Sequence, residues 1–120
     1  MRDYQELLQQ AKTLGEAISR HPRATALRAA HESLNRDSAA RKILDDYARH
    51  AEHLRELEAG NRPIEVDDKR RLAELERGMI GNDAIKALMR VQADYIEMMT
   101  QINQAMEAPL ASVESQEPPQ

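Results

Sequence analysis

The fold class is decided by residues 83–107, DAIKALMRVQADYIEMMTQINQAME. Apolar residues recur in this stretch at spacings of three and four, from Ile85 to Met106. This period places them on one face of an α-helix. The stretch therefore predicts a long amphipathic helix, which we expect to end at Ala108-Pro109 because proline disfavours helical geometry in the residue before it.

Four further helices are predicted upstream by the same period, and short breaks separate them. His21-Pro22 ends the first helix, and Pro22 suits the start of the second. Asp37 is the expected cap of the third helix, and Gly60 is its expected left-handed stop. Asn82 or Asp83 caps the fifth helix. The predicted spans of the first four helices are about 3–20, 23–34, 38–59 and 65–79.

The composition agrees with a helical protein of one domain. The chain has 120 residues, and 32% of them are charged. Alanine and leucine, both strong helix formers, are abundant, whereas β-branched residues are few. We predict an all-α fold of about five helices in a mostly antiparallel bundle, with long third and fifth helices. Residues 1–108 form the single domain, and residues 109–120 are predicted to be a disordered tail.

Composition also excludes several classes of protein. No apolar run approaches the roughly 18 residues needed to span a bilayer, and residues 1–10 lack the apolar core of a signal peptide. The chain has no Cys, which excludes thiolate metal sites and suits the cytoplasm, where we expect the protein to reside. With a net charge of −4, no Trp and no Phe, direct nucleic-acid binding is not the first expectation.

A surface for self-association is predicted on the last helix. Met98 and Met99 are adjacent, so both cannot point the same way, and the apolar face is wider than one packing layer requires. We expect a homodimer or a higher oligomer. The candidate contact residues are Tyr95, Met98, Met99 and Ile102.

A basic segment, residues 20–42, is a second candidate partner surface. It could dock an acidic protein or an RNA backbone, in which case binding would depend steeply on salt. The alternative is an ordinary solvated helix surface of mixed charge. Its basic residues are Arg20, Arg23, Arg28, Arg36, Arg41 and Lys42.

A metal site is a weaker alternative. Asp46, His50 and His53 share one side of the third helix, within conceivable reach of one ion. The two histidines are only three residues apart, however, and no third strong ligand is evident nearby. The alternative is a solvated flank beside the apolar face. No Gly-rich phosphate loop, serine elbow or paired-histidine zinc motif occurs. We therefore expect no enzymatic activity and no cofactor.

The order of these features resembles the YlbF/YmcA family of small bacterial helical regulators. The resemblance covers about residues 3–107. It rests on segments spread over nearly the whole chain: Leu14-Gly15-Glu16-Ala17-Ile18, His21-Pro22, Leu34-Asn35-Arg36-Asp37, the series Ala40, Ile43, Leu44, Asp46 and Tyr47, Gly60, Asn82-Asp83-Ala84-Ile85, Gln92-Ala93-Asp94-Tyr95-Ile96 and Ile102-Asn103.

The resemblance implies a cytoplasmic, non-catalytic and often dimeric regulator. Its better-known members form a complex that influences competence, sporulation and biofilm programmes by assisting an endoribonuclease in mRNA processing. Some members carry cysteines associated with iron–sulfur clusters. Because this chain has no Cys, the resemblance implies no cluster here, and it transfers no site residues. It implies partners that are regulatory proteins, including a ribonuclease complex.

Overall fold

Five α-helices make up the computed structural model, which describes residues 2–114. The prediction of an all-α fold with five helices is confirmed. The third helix has the span predicted from the sequence. In chain order the helices are α1 (Arg2–Arg20), α2 (Pro22–Asn35), α3 (Ser38–Ala59), α4 (Val66–Gly81) and α5 (Asp83–Glu114).

Contacts within the chain group it into two compact units. Unit 1 comprises Met1–Leu27 and Val91–Gln120, and unit 2 comprises Arg28–Arg90. Helices α2 and α5 each contribute to both units. The prediction of one domain over residues 1–108 stays a prediction.

Unit 2 holds nearly all of the buried side chains of the described residues. α3 and α4 form an antiparallel hairpin, because His53 contacts Asp68 near the connecting loop while Ile43 lies beside Gly78 far from it. Ile85, only 1% exposed, is the largest fully buried side chain among the described residues. The apolar residues that are buried in this unit are Leu34, Ala40, Leu75, Ile85 and Leu88.

Side chains at the helix starts explain where the breaks fall. His21 separates α1 from α2, and its Nδ1 accepts a hydrogen bond from the backbone N–H of Arg23 at 3.1 Å. Asn82 caps α5, since its Oδ1 accepts from the N–H of Ile85 at 3.0 Å. Each such bond satisfies one of the amide groups that the first turn of a helix leaves without a partner.

Asp37 caps α3 as predicted, and its removal should lower stability. Its Oδ1 accepts from the N–H of Ala40 at 3.0 Å. We expect Asp37→Ala to cost about 1 kcal/mol in the free energy of unfolding, measured by urea titration. Asp45→Ala, which changes an exposed acid within the same helix, is the control. Equal losses in the two variants would contradict a specific role for the cap.

The end of α3 differs from the sequence prediction in one residue. Gly60 has φ −87°, so the prediction of a left-handed Gly60 is wrong. Asn61 takes the left-handed conformation instead, with φ 56°. The N–H of Arg62 donates to the Leu57 carbonyl at 2.8 Å, and the N–H of Asn61 donates to Glu58 at 3.1 Å. This pair of bonds defines a Schellman motif, in which Asn tolerates the left-handed position that Gly usually takes.

The end of α5 also lies further along the chain than predicted. The predicted end before Pro109 is wrong, because the helix continues to Glu114 with Pro109 inside it. Proline removes one hydrogen bond of the helix. The residues on either side include good helix formers, and Ser112 Oγ donates to the Pro109 carbonyl at 2.9 Å. Residues 115–120 of the predicted tail lie outside the described residues.

Unit 1 has a much smaller core than unit 2. Ala24 is its buried apolar residue, and Leu14 and Ile18 of α1 are half-buried. Arg23 ties α2 to α5 within this unit. Its Nη1 donates to the backbone carbonyl of Asp94 at 3.0 Å and lies 4.0 Å from a carboxylate oxygen of Glu97. None of the helices within residues 2–114 is both long and apolar enough to cross a membrane.

Candidate protein-interaction surfaces

The predicted self-association residues lie on one half-buried face of α5. Tyr95, Met98, Met99 and Ile102 follow the spacing of a single helical stripe, and each is partly covered. They are therefore neither a closed core nor a fully open surface. Their role in self-association stays a prediction.

The same face of α5 continues beyond the predicted residues and becomes exposed. We call its last part the α5 stripe: Met106, Leu110 and Val113, each at least half exposed. Leu110 and Val113 were missed by the sequence analysis because the helix was expected to end before them. Helical periodicity extended through Pro109 would have found both.

A second exposed apolar row lies at the start of α1. Its members are more than half exposed, although they repeat at helical spacing. We call them the α1 stripe: Tyr4, Leu7 and Leu8. Both stripes belong to unit 1, the unit with the smaller core. Contiguous exposed apolar residues on helices are typical of surfaces that bind another protein.

The basic segment spans both units. Arg20 and Arg23 belong to unit 1, and the other four residues belong to unit 2. Arg20 lies 3.9 Å from Glu16, and Arg23 is held by α5 as described above. Lys42 donates to Asp46 at 2.9 Å. Acidic residues of the same chain thus partly neutralise the charge of this segment. Its use as a partner surface stays a prediction.

Part of the basic segment lines an open hollow in unit 2. Arg41 and Lys42 lie there with Arg49, and the hollow has a volume of about 710 Å³. Asp45 and Asp46 line the same hollow. The Lys42 ammonium, by donating to the carboxylate, holds the pKa of Asp46 below its ordinary value of 3.8. The hollow therefore carries both signs of charge, and this mixed lining does not favour an RNA backbone over an acidic protein.

The histidines of the proposed metal site bind α4 instead. His50 Nε2 donates to the backbone carbonyl of Asp68 at 2.8 Å, and His53 Nε2 donates to Asp68 Oδ1 at 3.2 Å. Asp46 is paired with Lys42. Within residues 2–114, no three His, Asp or Glu side chains are grouped closely enough to hold a metal ion. The triad of Asp46, His50 and His53 is therefore not assembled as the spacing suggested.

Asp68 joins the two helices of the α3–α4 hairpin. Its Oδ2 accepts from the backbone N–H of Glu65 at 3.1 Å, which completes a capping box at the start of α4. This backbone bond, more than the bond from His53, holds the pKa of Asp68 below its ordinary value of 3.8, whereas partial burial opposes the shift. The carboxylate thus serves the helix cap and the hairpin together.

Asp68 should make the stability of the protein depend on acid. Because its pKa is lower in the folded state than in the unfolded state, its stabilisation is complete above pH 3.8 and is lost as the pH falls through the lowered value. We expect Asp68→Asn to be less stable than the native protein at pH 7, and the difference in unfolding free energy to shrink below pH 3.8. Urea titrations at several pH values measure this difference.

Asp67→Asn is the matched control for this experiment. The Asp67 side chain is 93% exposed, and it pairs with Arg70 one turn away, at 3.6 Å. It should therefore change stability less than Asp68→Asn at pH 7. A difference between Asp68→Asn and the native protein that stays constant from pH 7 to pH 3 would contradict the linkage.

Comparison with known proteins finds a solved structure with a similar fold and a protein with a similar sequence. A solved structure of RicA from Bacillus subtilis in complex with RicF matches with a TM-score of 0.77 and 17% identity, covering 89% of this chain and 95% of that one. This likeness shows the fold. The UPF0342 protein DSY1594 of Desulfitobacterium hafniense (strain Y51) is 22% identical over 107 residues, which are 89% of this chain and 82% of the relative.

The comparison with protein families settles the identity of the chain. The model of the family described as "Control of competence regulator ComK, YlbF/YmcA" matches residues 7–111. This match spans most of all five helices and includes both units. It agrees with the resemblance drawn from the sequence. The chain belongs to the YlbF/YmcA family.

Proposed function

We propose that this protein is a non-enzymatic adaptor that acts by binding a second copy of itself and other helical regulatory proteins. The observation that carries the proposal is the pair of exposed apolar stripes on unit 1. Tyr4, Leu7 and Leu8 on α1, and Met106, Leu110 and Val113 on α5, lie open at the two ends of the described chain. A family of regulators and a structural neighbour captured with a partner support the same conclusion.

The energetics of α1 support a binding role. α1 has 19 residues, and none of its described side chains is fully buried. An isolated helix of this length is only marginally stable in water, and most helices in proteins are stabilised by packing an apolar face. Covering one large apolar side chain contributes roughly 1.5–3 kcal/mol. A partner that covers the α1 stripe would therefore stabilise both the helix and the complex.

The α5 face supplies a second part of the proposed contact. Tyr95, Met98, Met99 and Ile102 are continuous with the α5 stripe, so a partner helix laid along α5 would cover the half-buried and the exposed parts together. Methionine suits such a surface because its unbranched side chain adapts to different neighbours. We include these four residues in the proposed self-association surface.

We further propose that the protein works in the cytoplasm on the same programmes as the regulators it resembles. These are competence, sporulation and biofilm formation, reached through help to a ribonuclease complex that processes mRNA. An adaptor of this kind holds partners together or shifts their populations, and makes or breaks no bonds itself. The chain would contact proteins rather than RNA, since acidic residues of the same chain already pair with Arg20, Arg23 and Lys42.

A crosslinked pull-down from the native cells tests the adaptor role. The tagged full-length chain is recovered after crosslinking, and its partners are identified by mass spectrometry with and without ribonuclease treatment. We expect a second helical regulator or a ribonuclease, recovered in both preparations. Recovery that disappears after ribonuclease treatment would contradict direct protein binding and would favour the RNA-binding alternative.

A further inference from the structure

An apolar groove lies in unit 2. It has a volume of about 260 Å³. Ile80 and Met89 are 66% and 51% exposed, so the groove is open to a partner. We call it the Met groove, and it is lined by Tyr47, Glu76, Met79, Ile80 and Met89.

The Met groove has the size and chemistry of a site for a side chain from another helix. Its volume lies below the roughly 300–1,000 Å³ typical of small-molecule pockets. Apolar grooves that receive one or two anchor residues of an amphipathic helix are common in protein recognition. Glu76 is the one charged residue of the lining, and the described part of the chain offers its carboxylate no ion pair. The occupant should therefore combine an apolar anchor with a cation.

We propose that the Met groove of one copy receives the α1 stripe of a second copy, with Lys12 facing Glu76. This inference rests on the self-association proposed above and names the contact that would form it. Leu8 and Lys12 are four residues apart on α1, so their side chains lie on the same side of the helix. Leu8 supplies the apolar anchor, and the exposed Lys12 supplies the cation one turn later.

Charge selects α1 over the other exposed stripe. No Lys or Arg follows Arg90 in the sequence, and Glu107 lies next to Met106. The α5 stripe would therefore bring no cation towards Glu76. Like charges placed together disfavour a contact, whereas opposite charges fix its register.

A symmetric dimer would form this contact twice. In a twofold arrangement the α1 of each copy occupies the Met groove of the other, which doubles the apolar area that is covered. Doubling matters because a stable interface needs about 1,200 Å² or more in total, which one helix turn in one groove does not supply.

Single-cysteine crosslinking tests the occupant directly. The chain has no natural Cys, so each introduced thiol is unique. Leu8→Cys and Met89→Cys protein are mixed in equal amounts and treated with a short bis-maleimide. We expect a crosslinked dimer that contains one copy of each variant. Both positions are exposed, so the substitutions should not unfold the protein.

Two control mixtures make the crosslink specific. Val66→Cys replaces Met89→Cys in the first, because Val66 is an exposed residue of the same unit that does not line the groove. Met106→Cys replaces Leu8→Cys in the second. Stronger crosslinking in either control than in the test mixture would overturn the inference, and the second result would assign the groove to the α5 stripe.

Charge reversal tests the pairing of Lys12 with Glu76. We expect Lys12→Glu and Glu76→Lys each to weaken dimerisation about tenfold at low salt, because the pair occurs twice in a symmetric dimer. The double variant should return to within about threefold of the native dissociation constant, measured by sedimentation velocity. Glu58→Lys, which changes an exposed acid of α3 outside the groove, is the control.

The outcomes separate this inference from the proposed function. A native protein that dimerises while neither reversal weakens the dimer overturns the inference and leaves self-association standing. A native protein that stays monomeric at every concentration overturns the inference and the self-association together.

Discussion

Replacing Leu88 by Asp should unfold unit 2. Leu88 is 9% exposed and lies one turn after Ile85, the largest fully buried side chain among the described residues. An aspartate there would bury a carboxylate, and an unpaired buried charge is among the most destabilising changes known. We expect a loss of at least about 4 kcal/mol in the free energy of unfolding, measured by urea titration with circular dichroism.

The neighbouring residue provides the matched control. Met89 is 51% exposed, although it is adjacent to Leu88 on the same helix. Met89→Asp introduces the same charge and the same loss of helix propensity, but in the monomeric chain it leaves the new carboxylate in water. Because Met89 also lines the Met groove, both variants are compared at a protein concentration that keeps the chain monomeric. It should cost less than about 1 kcal/mol. Similar losses in the two variants would mean that the buried face of α5 has been assigned incorrectly.

Local sequence signals predict the helices of this protein well where the signal is a side-chain cap. The start of α3 follows from Asp37, because its carboxylate accepts a hydrogen bond from the first turn of the helix. The spacing of Ile85 and Leu88 also predicts the buried face of α5, because the helical period alone identifies a face. The left-handed residue after α3 was harder to assign, since Gly60 and Asn61 are adjacent and both tolerate that conformation.

Periodicity does not reveal what covers an apolar face. Met99 and Met106 lie on the same face of α5, yet Met99 is partly buried whereas Met106 is exposed, at 50%. The difference comes from what packs against α5 at each position, which the spacing of α5 does not contain. The spacing of α5 therefore identifies its apolar face but not which residues of that face are exposed.

The histidine pair shows the same limit for polar residues. The spacing of His50 and His53 places two imidazoles together, and it is compatible with a metal site. Their partner is Asp68, which follows them by 18 and 15 residues across the hairpin loop. A contact of that kind depends on the register of α3 against α4, which no local pattern specifies.

Replacing Met106 by Glu should separate self-association from folding. Met106 is half exposed in the folded chain, so the substitution leaves the buried residues of both units unchanged. In the proposed complex, however, it would place a charge against the apolar face of a partner. Losing one apolar anchor costs roughly 1.5–3 kcal/mol, and the loss occurs twice in a symmetric dimer. We expect the dissociation constant from sedimentation velocity to rise at least about 100-fold.

Gln104→Glu is the matched control because it adds the same charge on the opposite side of α5. Gln104 is exposed, and it lies about half a turn around the helix from the stripe that contains Tyr95 and Met106. It should leave both the dissociation constant and the unfolding midpoint close to those of the native protein. Met98 is less suitable for this test, since it is half-buried and its replacement would also disturb unit 1. If Met106→Glu dimerises as the native chain does, the α5 stripe is not part of the contact, and self-association would have to rest on α1 alone.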